Sequence, residues 1–204
     1  DAGYGKLLSL LYCGGEMKMS GFYSKEELEA MHFKSLGKNV SISRKASLYH
    51  TEEMEIGNNV RIEDFCVLNG NITIGNNVMI CVFCLLDGNC GIVIEDNVTI
   101  AARVSIHSGT DDYSGRSLFG CFAPMEYRIY RYAEQVTIKR HVLIGDGAVI
   151  MPGVVISEGT SIGAMSFVKD DTEEWSVCAG VPAKKIKNRY RDVARLYEQV
   201  KQEL

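Results

Sequence analysis

The sequence predicts an all-β fold, a parallel β-prism wound from six-residue repeats, with a short helix capping one end and a second helix following the other. Three observations carry this expectation. An aliphatic residue recurs every six positions, at Ile56, Ile62, Leu68, Ile74, Ile80 and Leu86, at Ile94, Ile100 and Ile106, and from Ile138 through Ile144, Ile150, Ile156 and Ile162 to Val168. Four places after most of them stands a small or β-branched residue, among them Val60, Cys66, Val78, Cys84, Val98, Val104, Val142, Ala148, Val154, Thr160 and Ser166. Gly, Asn and Asp fill the positions between, as in Ile56-Gly57-Asn58-Asn59 and Ile74-Gly75-Asn76-Asn77. A period of six matches neither a strand's two nor a helix's 3.6, so it marks stacked turns of a parallel solenoid. Three hexapeptides make one triangular coil, with one aliphatic per side pointing to the axis and corner residues that tolerate positive φ. Each coil adds about 4.8 Å of height through hydrogen bonds to the next.

In chain order, residues 1–21 fit no element and read as a leader or non-native extension, since the chain starts at Asp1 and Gly14-Gly15-Glu16 resembles a translated ribosome-binding sequence before Met17 or Met19. Residues 22–36 form the capping segment. Ser24-Lys25-Glu26-Glu27 is a capping box, in which hydroxyl and carboxylate satisfy helix-start amides, and it predicts a helix from Lys25 to about Phe33 over the open end of the prism. The prism spans 37–182. Its repeat is broken between Ile106 and Ile138 by an inserted loop, 107–135, rich in Phe and Tyr. Loops of this length in compact repeat proteins are usually functional or used in subunit packing. Residues 183–204, with Val193, Leu196, Tyr197, Val200 and Leu204 at helical spacing, predict an amphipathic terminal helix.

Composition bounds the function. A chain of 204 residues with 46% hydrophobic content supports one well-buried domain. A net charge of -4 without a dense Lys/Arg block argues against nucleic acid as the main partner, and no apolar run is long enough for a membrane span. The seven cysteines, including Cys81, Cys84 and Cys90, invite a disulfide or metal reading. The repeat frame instead puts Cys66 and Cys84 in the small inward slot, where thiols act as small hydrophobes, and a reducing cytoplasm follows.

The repeat, with three stretches near its end, resembles the hexapeptide-repeat acyltransferases from about Gly37 to Lys187. Ile144-Gly145-Asp146-Gly147-Ala148-Val149-Ile150-Met151-Pro152-Gly153-Val154 resembles that family's penultimate coil, Ile162-Gly163-Ala164-Met165-Ser166 its last, and Ala179-Gly180-Val181-Pro182-Ala183-Lys184 its terminal signature. Val181 replaces the usual Asn, and Ala164-Met165 stands where Ala-Gly is commoner. The resemblance implies left-handed coiling, a homotrimer with active sites between neighbouring prisms, and acetyl-CoA as co-substrate. It places the CoA arm along Gly145, Gly147, Ala148, Gly163, Ala164, Ala179 and Pro182, where small side chains allow close approach to the backbone. Lys184, Lys185 and Arg189 would meet the nucleotide phosphates, and Trp175 would either flank the adenine or cover the last coil.

His107, directly after a core Ile and opening the loop, is the foremost candidate base. In the maltose and galactoside acetyltransferases the catalytic His stands a few residues further on, at a position occupied here by Asp111. Asp111 and Asp112 would bind an acceptor ammonium, accept its proton, hold sugar hydroxyls, or simply form a turn with Gly109 and Gly115. His141 is either a corner residue in the slot of Asn77 and Asn97 or an alternative base. Asp111-Asp112-Tyr113-Ser114-Gly115 resembles loops of the branch that acetylates sugars of surface polysaccharides, including nucleotide-linked amino sugars. The expected function is therefore transfer of an acetyl group from acetyl-CoA to a sugar or amino sugar, by O- or N-acetylation. Serine and xenobiotic acceptors, and a non-catalytic β-helix scaffold, are the alternatives. A zinc hydratase resembling γ-carbonic anhydrases would need three histidines from neighbouring coils, and the prism body offers too few, so no metal is expected.

Overall fold

A computed structural model describes residues 21–201. The leader expected over 1–21 lies outside these residues except for Gly21, as does Leu204 at the far end of the terminal stripe. The described chain is a triangular parallel β-solenoid. Its first side stacks Ile42, Ile62, Ile80, Ile100, Ile144 and Ile162, ending on Cys178. The second stacks Leu48, Leu68, Leu86, Ile106, Ile150 and Val168. The third stacks Leu36, Ile56, Ile74, Ile94, Ile138 and Ile156. The aliphatics of the period-six frame are buried from Ile56 to Val168 and form one continuous core. The insertion leaves the stack intact: Ile106 pairs directly with Ile150, and Ile94 with Ile138, so the coils close beneath the loop.

The three edges use different chemistry. Between the third and first sides, Asn39, Asn59, Asn77, Asn97 and His141 take positive φ in successive coils. Asn39 Nδ2 donates to Asn59 Oδ1 at 2.8 Å and Asn59 Nδ2 to Asn77 Oδ1 at 3.0 Å, so the left-handed conformation is offset by a side-chain ladder. At the edge between the first and second sides, the Cys66 and Cys84 thiols donate to Cys81 O and Ala101 O of the next coil at 3.0 and 3.1 Å. These cysteines are buried, as the inward slot requires, and all six described cysteines are free.

Both ends differ from expectation. The capping box forms, with Ser24 N donating to Glu27 Oε2 at 2.7 Å and Glu27 N to Ser24 Oγ at 3.3 Å. The helix is only Lys25–Glu29, because the chain turns at Ala30 and His32 adopts φ 55° before entering the strand Ser35–Leu36. At the other end, 183–188 is a strand and not the start of the terminal helix. Ala183–Asn188 folds back antiparallel on Ser176–Gly180, covering the backbone edge of the last coil, and the helix runs Asp192–Val200. Sheet pairing with an otherwise open edge outweighs the helical propensity of Ala183-Lys184-Lys185. No described helix is long and apolar enough to cross a membrane.

Candidate active site

The loop is anchored at its base. His107 ends the strand Ser105–His107, and Gly109–Thr110 pairs antiparallel with Tyr132–Ala133, so the insertion leaves and returns as a two-stranded ribbon. Ser108 is fully buried. Its hydroxyl donates to Asp87 O and accepts from Cys90 N, both at 2.8 Å, while its carbonyl accepts from Glu134 N at 2.9 Å. This clasp sets the loop against the preceding coil and aligns His107 with Asp87 in the parallel register.

Beside Asp87 the loop borders a half-open pocket of about 510 Å³, lined by Asp87, Asn89, Gly109, Thr110, Asp111, Arg128 and Arg131, with His107 outside its lining. Two carboxylates and two guanidiniums converge there in different environments. Asp111 accepts from Arg128 Nη2 at 2.8 Å and from Gly120 N at 3.1 Å. The Arg128 bond, with the Gly120 amide behind it, holds the Asp111 carboxyl below the usual carboxylate range. Among the described residues Asp87 meets only amides, accepting from Asn89 Nδ2 at 2.5 Å and Asn69 Nδ2 at 3.4 Å, with no guanidinium or ammonium paired to it. Arg128 Nε is buried and has no hydrogen-bond partner among the described residues, leaving a donor free beside Asp111.

The sequence-derived candidates therefore separate. Asp111 lines the cavity. Asp112 does not: its carboxylate accepts from the backbone amides of Ser114, Arg116 and Ser117 at 2.8, 2.8 and 3.0 Å, the turn-forming alternative, and the Ser114 contacts first among these lower its pKa to about 2. His141 is buried at φ 63° in the Asn slot, its Nδ1 accepting from Asn97 Nδ2 at 2.8 Å, on the edge opposite the second side. Burial lowers its pKa, so it is a neutral corner residue away from the cavity. Asp87 and Asn89, missed by motif reasoning, sit in Asp87-Gly88-Asn89, where the repeat lengthens by two residues between Leu86 and Ile94. That lengthening was the available signal.

The residues expected to hold CoA gather at the edge between the first and second sides, near the C-terminal end. Ala164 is exposed and Ala179 half-buried. Gly145 and Gly163 also serve coil packing, since a Cβ there would lie 2.6 Å from Ala164 N and 2.7 Å from Ala179 Cβ respectively. Gly147 takes φ 67°. Pro182 follows a cis peptide in the turn from Gly180 to Ala183. Ala148 is fully buried and points to the axis, so it would offer its backbone, the close approach expected of the small residues there. One of the expected contacts is corrected. Arg189 Nη1 donates to the carbonyls of His141, Gly159 and Thr160 at 2.7, 2.9 and 3.4 Å, which commits it to corner capping and not to phosphate. Trp175 lies against Gly159, where a Cβ would come within 2.4 Å of the indole, and covers the last coil. Lys184 and Lys185 remain at the surface, paired with Asp170 at 3.4 Å and Glu173 at 2.6 Å.

Comparison with known proteins settles the family. The bacterial transferase hexapeptide pattern of six repeats matches residues 53–88 and 135–170, two blocks that flank the inserted loop. The dTDP-4-amino-4,6-dideoxy-D-glucose acyltransferase of Escherichia coli is 42% identical over 173 residues, covering 83% of this chain and 90% of that one. The chain belongs to the hexapeptide-repeat acyltransferases. It is an acyltransferase on a parallel β-solenoid. Among solved structures, AntD, an N-acyltransferase from Bacillus cereus in complex with dTDP and 3-hydroxybutyryl-CoA, superposes with a TM-score of 0.87 at 42% identity, covering 91% of this chain and 98% of that one. A maltose O-acetyltransferase from Clostridium difficile 630, at 23% identity and a TM-score of 0.55 over 92% of this chain and 86% of that one, shares the fold.

Proposed function

We propose that this acyltransferase moves an acyl group from acyl-CoA, acetyl-CoA being the expected donor, to the amino group of a dTDP-linked amino sugar, as a cytoplasmic step supplying a surface polysaccharide. The observation that carries the reading is Asp87, in register with His107, at a polar pocket whose other lining residues suit a sugar. Asp87, a carboxylate held only by amides, receives the acceptor's ammonium. His107, on the next rung, takes the proton that the nitrogen must shed. The free amine then attacks the thioester carbonyl, the C–N bond forms, the C–S bond breaks, and CoA leaves as thiolate, which takes up the second proton that the nitrogen sheds on becoming an amide. Asp111, held ionised by Arg128, is a poor proton acceptor and serves with Arg128 and Arg131 to hold hydroxyls or phosphate oxygens. The similarity to the dTDP-amino-sugar acyltransferase and to AntD, crystallised with dTDP and CoA, supports nitrogen over oxygen as the acceptor atom.

The donor would lie along Gly145, Gly147, Gly163, Ala164, Ala179 and Pro182, with Lys184 and Lys185 leaving their carboxylate partners for the nucleotide phosphates. These residues occupy one edge of the prism and His107 another, with the second side between them. A homotrimer supports catalysis by laying one copy's donor edge against another's loop, and it gives the exposed Phe119 and Phe122 a surface to cover. Thiol release from acetyl-CoA, measured with dTDP-4-amino-4,6-dideoxyglucose and with dTDP-glucose, tests the reading. Turnover with the amine alone is expected; turnover with neither, or with the hydroxyl sugar alone, overturns it.

A further inference from the structure

The edge between the first and second sides carries a feature that coil packing does not require. In the positive-φ slot of successive coils stand Phe65, Phe83 and Arg103, at 61°, 62° and 60°, followed by Gly147 and Met165. Their order is set by the inter-coil bonds Phe83 N to Asp64 O, Arg103 N to Val82 O and Gly147 N to Ala102 O. The equivalent slot between the third and first sides is mostly Asn, the residue this conformation favours. Bulky residues there are outliers. The two rings are nonetheless stacked, with centroids 4.9 Å apart and planes at 14°, and remain 48% and 55% exposed. Lys45 lies 5.3 Å from the outer face of Phe65. The face of Phe83 toward Arg103 has no aromatic partner, and Arg103 is exposed without an ion pair, among the described residues.

We propose that Phe65 and Phe83 form a stacking platform for the base of the nucleotide-linked acceptor, and that Arg103 contacts its diphosphate. The inference rests on the acceptor reading above and adds the residues that recognise the nucleotide. Arg103 and His107 belong to the same coil. The glycines assigned to the donor arm lie on the C-terminal side of that level, along this same edge. An acceptor meeting the thioester at the His107 level must then come from the N-terminal coils, where the ring pair waits. A guanidinium one coil beyond the base platform, at the reacting level, suits a diphosphate lying between base and sugar.

Binding of dTDP and of thymidine to the intact protein, followed by titration calorimetry, tests this together with KM for the amino sugar. Phe65→Asn and Phe83→Asn install the residue that tolerates the slot, so the coil is retained. Each is expected to weaken dTDP roughly tenfold and raise acceptor KM alike, with CoA affinity unchanged. Arg103→Gln is expected to weaken dTDP but not thymidine. Wild-type dTDP binding that survives both Phe substitutions overturns the platform alone, leaving the acceptor reading intact. A loss confined to CoA assigns the rings to the donor's adenine, and a changed oligomeric state assigns them to subunit packing; either result also overturns it. A wild-type protein that turns over an amino sugar without binding dTDP overturns the platform and the nucleotide part of the acceptor reading together.

Discussion

Asp87→Asn is the substitution that most directly separates a catalytic carboxylate from a structural one. The amide keeps the size and shape of the side chain and still offers an oxygen to Asn69 and Asn89, while removing the charge. The clasp that seats the loop uses the Asp87 main-chain carbonyl, accepting from Ser108 N at 2.9 Å and Ser108 Oγ at 2.8 Å, and is untouched. Stability is therefore expected to change by no more than about 0.5 kcal/mol, the range of surface substitutions. What is lost is a charge-assisted bond to the acceptor ammonium, worth about 1.5–3 kcal/mol. That converts to a fall in kcat/KM of roughly 10- to 200-fold, at about 1.4 kcal/mol per tenfold. The assay is thiol release at subsaturating amino sugar, with acetyl-CoA binding and the melting temperature measured in parallel. In combination with His107→Ala the losses should be less than additive, because both residues act on one nitrogen. A kcat/KM within twofold of the parent, at unchanged Tm, would refute the assignment of Asp87 to the amine.

Three further outcomes follow from the same geometry. Arg189→Ala should destabilise the fold by about 1.5–3 kcal/mol, because three corner carbonyls lose a charged donor, while leaving CoA affinity unchanged; a CoA defect at full stability would return Arg189 to the donor site. Lys184→Glu with Lys185→Glu should weaken CoA more than dephospho-CoA in equilibrium binding, and equal losses would remove both lysines from the 3′-phosphate. His141 is held neutral chiefly by burial, opposed by Glu158 and reinforced by Arg140 and Arg189, so its folded pKa lies below the unfolded value of about 6.5. The unfolded chain thus binds the extra proton first, and stability should be full above pH 6.5 and fall as pH drops below it. His141→Asn should flatten that segment of a Tm-versus-pH curve, and an unaltered slope would show that other groups cause it.

The aliphatics and inward small residues were legible because a stacked coil repeats one environment every six residues, so each core position appears many times in the sequence. The capping box was legible because its bonds are local. The terminal strand Ala183–Asn188 was not, since its stabilisation comes from pairing with Ser176–Gly180, and a run such as Ala183-Lys184-Lys185 serves helix and edge strand alike. The site divided in the same way. His107 and Asp111 stood out as candidates because they open an interruption, whereas Asp87 lies twenty residues upstream of His107 and meets it only through parallel register. Arg189 read as a phosphate ligand by proximity to a signature, until the fold showed three carbonyls within its reach.

By itself, then, the sequence determined the solenoid, its inward face, the place of the inserted loop and the transferase family that its terminal motifs resemble. These follow from periodicity and local chemistry, which survive without knowledge of distant contacts. The tertiary structure decided which charges are free and which are spent: Asp87 left to amides while Asp111 pairs with Arg128, Asp112 absorbed by a turn, His141 and Arg189 by a corner, and two phenylalanines stacked in the open. The physical reason is that a charged or aromatic side chain takes its role from what lies within a few ångströms, and in a solenoid those neighbours come from the coils above and below.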